Sequence, residues 1–478
     1  MRWYGRCTVA MTRGTKALVV TSIGVSMSAL DTTIVNVARD TIGRSFNASE
    51  SAVSWVLSGY SIVFAAVLLT AGRIADRYGR KKIYTIGLLA FITASGLCAL
   101  APTLPILIAA RALQAVGGAL LSPAALALVL PEFPLEKRSA AIAVWGAIGS
   151  IGAGAGPVLG SLLLRAFGWR SAFFINLPIG LVAFILGRKL LHESKDEAAT
   201  GIPDPVSIVA GVGSVGILAL AITKGNDWGY LSPRSTICFV AAAALLPLFI
   251  WRCRTAKLPV LDLRLLKQRA FAVGNVSVLF FGLPFYGQLV GNITFLQRTW
   301  HYSPFGSGLA SVPPPLVAFL TSRAAGRWCD RIGHRLVAVP GAIILALSLF
   351  LHAAFDPVIP AYWRTYGPFS LLTGFGLGIL ISTLQSSACK YLPRDRFAMG
   401  SAFFTTIRQL GSALAIAITV ALLTRPALGV MHNARTAWVV QGASSLMVGV
   451  LMVTLYRPPS TADDVGQTAA ARPTNLTA

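Results

Sequence analysis

Charge is what this chain has least of. Asp, Glu, Lys and Arg make up 12% of its 478 residues, about half the share of an ordinary soluble domain. Acidic residues are the scarcest, 17 against 41 Lys and Arg. The six cysteines, at positions 7, 98, 238, 253, 329 and 389, form no CxxC pair and no Cys/His cluster. That excludes a disulfide framework and a thiolate metal site. The five histidines, at 192, 301, 334, 352 and 432, read as loop or span-end residues. HExxH, GxSxG and the phosphate-binding GxxxxGKS/T are all absent, so no enzyme constellation is indicated and no metal or cofactor is expected.

Apolar residues are abundant, at 55% of the chain. They fall in runs of about 18–25 residues, each long enough to cross a bilayer as a helix. Barrel strands would alternate every second residue instead. Fourteen spans are expected, at about 16–38, 53–73, 82–101, 104–130, 140–163, 171–190, 205–223, 235–252, 272–296, 306–325, 336–354, 365–390, 398–421 and 437–456. The first continues past Asp31 to Ala38, so it reads as a retained helix rather than a cleaved signal. The tail from Pro458 is expected to be disordered. The net charge of +24 is a topological signal. The N-terminus, the loops after even-numbered spans and the tail hold 29 Lys and Arg, the other loops ten. By the positive-inside rule both termini are cytoplasmic. This asymmetry accounts for most of the basic excess, so no nucleic-acid partner is expected.

One charged turn recurs. Gly72-Arg73-Ile74-Ala75-Asp76-Arg77-Tyr78-Gly79-Arg80-Lys81-Lys82 lies between the second and third spans, and Gly326-Arg327-Trp328-Cys329-Asp330-Arg331-Ile332-Gly333-His334-Arg335 lies between the tenth and eleventh. A repeat at matching places points to a duplicated membrane protein. The expected plan is an N-terminal segment 1–15, a six-helix bundle 16–190, a linker 191–270 with two extra helices, a second six-helix bundle 271–457, and a tail 458–478. Asp31 is the carboxylate placed within a span core. An ionised group there is costly and usually faces a cavity or a partner. Arg111 and Arg408 are the cations inside spans, and a buried Arg needs an anion or several carbonyls.

The first turn resembles the GxxxDRxGRK signature of the major facilitator superfamily, and the match is complete. Leu30–Ala38, Trp55–Tyr60 and Gly168–Gly180 are similar to motifs of its fourteen-helix drug:proton antiporter subfamily, with Ser171 replacing a Trp. The stretch from Arg111 to Ala119 resembles RxxQGxGxA, with Ala115 replacing the first Gly. Gly152, Gly156, Pro157 and Gly160 in the fifth span resemble the antiporter motif GxxxGPxxGG, with Ser161 replacing the last Gly. Arg408-Gln409-Leu410-Gly411 resembles the RQLG of the thirteenth helix.

The resemblance implies an all-α integral membrane protein of the major facilitator fold: two six-helix bundles plus two inserted helices. It implies a proton-coupled exporter of lipophilic or cationic compounds in a bacterial cytoplasmic membrane, monomeric and driven by the proton gradient alone. The partners are then a small-molecule substrate, protons and membrane lipids. Asp31 and Arg111 would couple protons. Gly72, Asp76, Arg77, Gly79 and Arg80 would latch the cytoplasmic face. Substrate would meet Trp145, Phe281, Phe285, Tyr286, Gln288, Asn292, Gln385 and Arg408. Gln288 and Asn292 share a helix face because they are four residues apart. Pro313-Pro314-Pro315 should break the tenth span. A dedicated exporter of one endogenous metabolite, or a membrane sensor that no longer transports, has the same motifs open to it.

Overall fold

A computed structural model describes residues 12–133, 135–195, 204–256, 263–392, 397–425 and 429–457. Most of the expected N-terminal segment 1–15 and the tail from Pro458 lie outside the described residues. Every regular element among the described residues is helical. The chain runs α1 (Arg13–Ser45), α2 (Glu50–Tyr78), α3 (Arg80–Leu100), α4 (Leu104–Val129), α5 (Leu135–Phe167), α6 (Ser171–Phe174), α7 (Asn176–Leu190), α8 (Pro205–Trp228) and α9 (Pro233–Thr255). It continues α10 (Arg269–Arg298), α11 (Pro304–Ala310), α12 (Pro313–Ile332), α13 (His334–Phe355), α14 (Gly367–Cys389), α15 (Phe397–Leu423) and α16 (Val430–Thr454).

Twelve helices are long and apolar enough to cross a membrane among the described residues, against the fourteen expected. The fifth and tenth expected spans are the two that fall short. In α5 the qualifying described stretch is Ala155–Phe167. In α12 the last three turns carry Arg323, Arg327, Asp330 and Arg331, which cuts the apolar window. The expected break at the three prolines is present. α11 ends at Ala310 and Pro313 opens α12, where a proline's missing N–H goes unused.

Helix starts follow from side chains that accept the orphan backbone N–H groups. Thr12, Ser49, Asp204, Ser232 and Ser303 cap α1, α2, α8, α9 and α11, the last three with Pro as the next residue. The two copies of the charged turn share one backbone device. Gly79 (φ 109°) joins α2 to α3 and Gly333 (φ 88°) joins α12 to α13. A residue with a Cβ is strained at such angles.

The helices pack as two groups. α1 to α7 contact one another, chiefly through α3 with α4, α1 with α5 and α2 with α4. α10 and α12 to α16 do the same through α12 with α14, α13 with α16 and α10 with α15. α8 and α9 pair with each other, and α8 lies in the seam against both α2 and α15. The two bundles also meet through α2 with α15 and α5 with α11. One end of the molecule carries both charged turns and is termed the basic end below.

Candidate functional site

Asp31 sits in the middle of α1 and is fully buried. Its carboxylate is met from two other helices. Oδ1 accepts from Gln114 Nε2 at 2.9 Å and Asn176 Nδ2 at 2.7 Å, while Oδ2 accepts from Arg111. Arg111, on α4, is also fully buried. Its Nε donates to the carbonyl of Val56 at 3.2 Å and its Nη1 to Gln114 Oε1 at 2.7 Å. The guanidinium lies 4.2 Å from the Tyr60 ring centroid, a cation–π distance. Nη2 has no hydrogen-bond partner among the described residues. Asn176 Nδ2 reaches Ser95 Oγ at 2.9 Å, and Ser95 Oγ donates to the carbonyl of Phe173. The network thus joins α1, α2, α3, α4 and α7.

Placing both charges at full burial is tolerable because they neutralise each other and their remaining valences are largely filled. Asp31 and Arg111 were legible as the charges inside apolar runs, and the structure brings them into one ion pair. Gln114 stands three residues after Arg111, on the same helix face, and Asn176 begins α7. Both fall inside motifs of the sequence, but nothing in the sequence shows that they turn toward Asp31.

Tyr60, Ser61, Thr32 and Arg111 of the first bundle line a small internal space with Tyr286, Leu289 and Ser412 of the second. Ser412 Oγ donates to Ser61 Oγ across it at 3.0 Å, and Asn36 Nδ2 donates to the carbonyl of Leu289. Of the expected substrate contacts, Tyr286 is at this space, with the Phe285 ring edge-on to the Tyr286 ring at 4.8 Å and the Phe281 ring tilted against Phe285 at 5.6 Å. The others are dispersed. Gln288 is buried, and among the described residues neither of its amide atoms nor Asn292 Oδ1 has a hydrogen-bond partner. Trp145 packs within the first bundle. Arg408 is half-buried on α15. Gln385 is exposed near the end of α14 and is not among the residues lining the space.

At the basic end each charged turn binds within its own bundle. Asp76 Oδ1 pairs with Arg80 Nε at 2.9 Å, one helical turn on. The anion at the start of α3 is Glu193 rather than Asp76, accepting from the backbone N–H of Lys81 and Lys82 at 3.0 and 3.1 Å. Gly79 is required for this approach, since a Cβ there would meet the Glu193 carboxyl at 2.7 Å. Among the described residues a Cβ at Gly72 would meet only Pro123, and Arg77 lies over the Tyr78 ring at 5.2 Å. In the second copy the residue four after Asp330 is His334. Asp330 therefore pairs across to Lys390 at 2.8 Å instead, and His334 Nε2 bonds to Ser386 Oγ.

The glycines of α5 pack against α1. A Cβ at Gly152 would meet the backbone of Ser26, one at Gly156 the Thr33 side chain, and one at Gly160 the Ile34 Cα at 3.2 Å. The carbonyl of Pro157 lies beside Gly308 of α11, so the same stretch touches the second bundle. At the end opposite the basic one, Arg298 of α10 pairs with Glu50 of α2 and approaches Asp40 of α1 at 3.9 Å.

The chain belongs to the Major Facilitator Superfamily, whose family model matches residues 21–415 and, in a second match, 270–477. It is therefore a multi-pass membrane transporter and not an enzyme. It is similar to the multidrug resistance protein Stp of Mycobacterium tuberculosis, 33% identical over 84% of this chain and 74% of that protein. It is also similar to the methylenomycin A resistance protein of Bacillus subtilis, 30% identical over 91% of both chains. A crystal structure of the peptide transporter POT in complex with sulfate shares the fold, with a TM-score of 0.66 over 97% of each chain at 16% identity.

Proposed function

We propose that the chain is a proton-coupled exporter of lipophilic or cationic compounds, seated in a bacterial cytoplasmic membrane with both termini inside. The observation that carries this reading is the buried Asp31–Arg111–Gln114–Asn176 network opening onto the space between the bundles. The relatives named for multidrug and methylenomycin A resistance support the direction and the substrate class. In this reading α5 and the α11–α12 pair also cross the membrane, giving fourteen spans: two bundles of six and the inserted α8 and α9.

With Asp31 ionised, the pair is neutral. A proton arriving from outside releases Arg111 from its carboxylate and leaves a net positive site beside the space. A cationic substrate is then repelled, and proton and substrate compete. The bundles rock around the space, with the Gly72–Lys82 turn closing the cytoplasmic face. The charged turns now lie each within its own bundle and the Arg298 cluster ties the bundles at the far end. That combination is the one expected with the outside shut.

Asp31→Asn in everted vesicles should abolish efflux driven by a proton gradient while the protein remains inserted in the membrane. Normal proton-driven efflux by that variant sinks the assignment of Asp31. The methylenomycin A relative also favours a second reading, a pump dedicated to one antibiotic-like metabolite. A resistance and accumulation panel in a pump-deficient host, with and without a protonophore, separates the two by how many compounds respond.

A further inference from the structure

The last turn of α13 and its C-cap residue form a buried ion pair that the transport site does not use. His352 Nδ1 lies 2.6 Å from Asp356 Oδ2, one helical turn apart, with both side chains wholly buried. Each keeps one polar atom without a partner among the described residues, His352 Nε2 and Asp356 Oδ1. The imidazole is boxed by aromatic rings: Trp438 of α16 nearly parallel at 5.3 Å, Tyr366 at 5.1 Å and Phe369 of α14 at 5.6 Å. Phe295 of α10 closes the box behind Trp438 and Tyr366.

No fixed cation reaches this pair among the described residues. The turn at 362–366 brings Tyr362, Tyr366 and an exposed Arg364. α16 brings His432 and Arg435, both exposed, and α10 brings Arg298, which is engaged with Glu50. Tyr302 adds a phenol beside Trp300. α14 carries its only charge, Lys390, past its far end, and the charges of α12 begin at Arg323, toward its far end. A carboxylate in such a box is costly unless a proton cancels its charge. Imidazolium with carboxylate and imidazole with carboxylic acid both satisfy that condition, and both hold one exchangeable proton.

We propose that His352–Asp356 is a second proton-binding site, in the second bundle and independent of Asp31. The two sites have opposite charge balance. Arg111 makes the Asp31 site neutral when its proton is absent, whereas the His352 site is neutral only when its proton is present. Release from the second requires the Trp438–Tyr366 wall to part, which couples that proton to movement of α16 against α13. The inference rests on the proton-coupled reading above and raises its stoichiometry from one proton to two.

The test is the ethidium gradient sustained by purified protein in liposomes held at zero membrane potential with a one-unit pH gradient. Two protons per ethidium sustain up to about a hundredfold gradient and one proton about tenfold. Wild type should approach the higher limit, and both H352Q and D356N should fall to the lower one. Asp356→Glu, which keeps the carboxyl, should regain the higher limit, so an unstable D356N does not leave the question open. A wild-type limit of tenfold that neither variant changes overturns the second site and leaves Asp31 coupling intact. A wild-type gradient indifferent to pH overturns proton coupling itself, and the second site with it.

Discussion

Arg111 shows how a charge is kept inside an apolar bundle. Four kinds of partner meet it: a carboxylate, a side-chain amide oxygen, a backbone carbonyl and an aromatic face. Removing the carboxylate alone leaves an uncompensated buried cation, which costs about 3–5 kcal/mol in buried pairs. Removing both charges should cost less than removing either. Asp31→Leu with Arg111→Leu is therefore expected to melt above Asp31→Leu alone in a detergent thermal-shift assay, although neither should transport. A second residue-level expectation concerns Gly152, whose Cβ would press on Ser26 backbone atoms at 2.7 to 3.0 Å. Gly152→Val should lose about 1–3 kcal/mol through overpacking, seen as a lower melting temperature. The buried charges Asp31 and Arg111 were legible because an Asp or Arg interrupts an apolar run. Asn176, Gln114 and His352 were not, since nothing in the sequence shows which amides turn toward Asp31, and His352 stands in the last turn of its helix, where exposure is the ordinary outcome.

At the scale of elements, helix ends carry much of the information. Asp204 caps α8 through the N–H and hydroxyl of Ser207 and also holds Arg252 of α9 at 2.6 Å. One side chain thus starts one helix and ties it to the end of the next. Arg252, with Ser207, keeps the Asp204 carboxyl well below the usual carboxylate range. A group with a depressed folded value stabilises at all pH values above its unfolded one and loses that contribution as pH falls through the folded one. The melting difference between wild type and Asp204→Ala should therefore stay constant from about pH 8 to about pH 4. It should shrink only in stronger acid, and a difference that fades near neutrality contradicts the assignment. The long helices were readable from run length alone. The division of α6 from α7 at Ile175 was not, because nothing in the apolar pattern of that stretch marks a change of helix. α12 was read as a span from its first half, although its second half carries four charges.

For the whole molecule, the contacts between bundles are distributed unevenly along its length. Asp76, Arg80, Asp330 and Lys390 bind at the basic end without crossing the seam, whereas Arg298 crosses it at the other end. A partly exposed pair of this kind contributes about 1 kcal/mol at most, so its loss should shift the closed population about fivefold. In a chain freed of native cysteines, Ser412→Cys at the seam should react faster with an impermeant maleimide from outside once Arg298→Glu is added. Exchanging the charges, with Glu50→Arg beside Arg298→Glu, should return the rate to its starting value. Unchanged labelling in the single variant excludes Arg298 as a gate. The two-bundle plan was legible from the repeated turn, but this cross-tie was not, because residues 40, 50 and 298 share no motif and lie far apart in the sequence.

α8 gives the closed end a further property. Lys224 and Asp227 grip Ser51 at the start of α2, while Asn226 donates to the Ala421 carbonyl and to Thr424 at the end of α15. Three residues in the last turn of α8 thus hold the rims of both bundles. If those rims separate during the cycle, α8 must travel with one and shed the other. The inserted pair would then act as a ratchet pawl, with a stroke limited by whichever set of these short bonds lets go first.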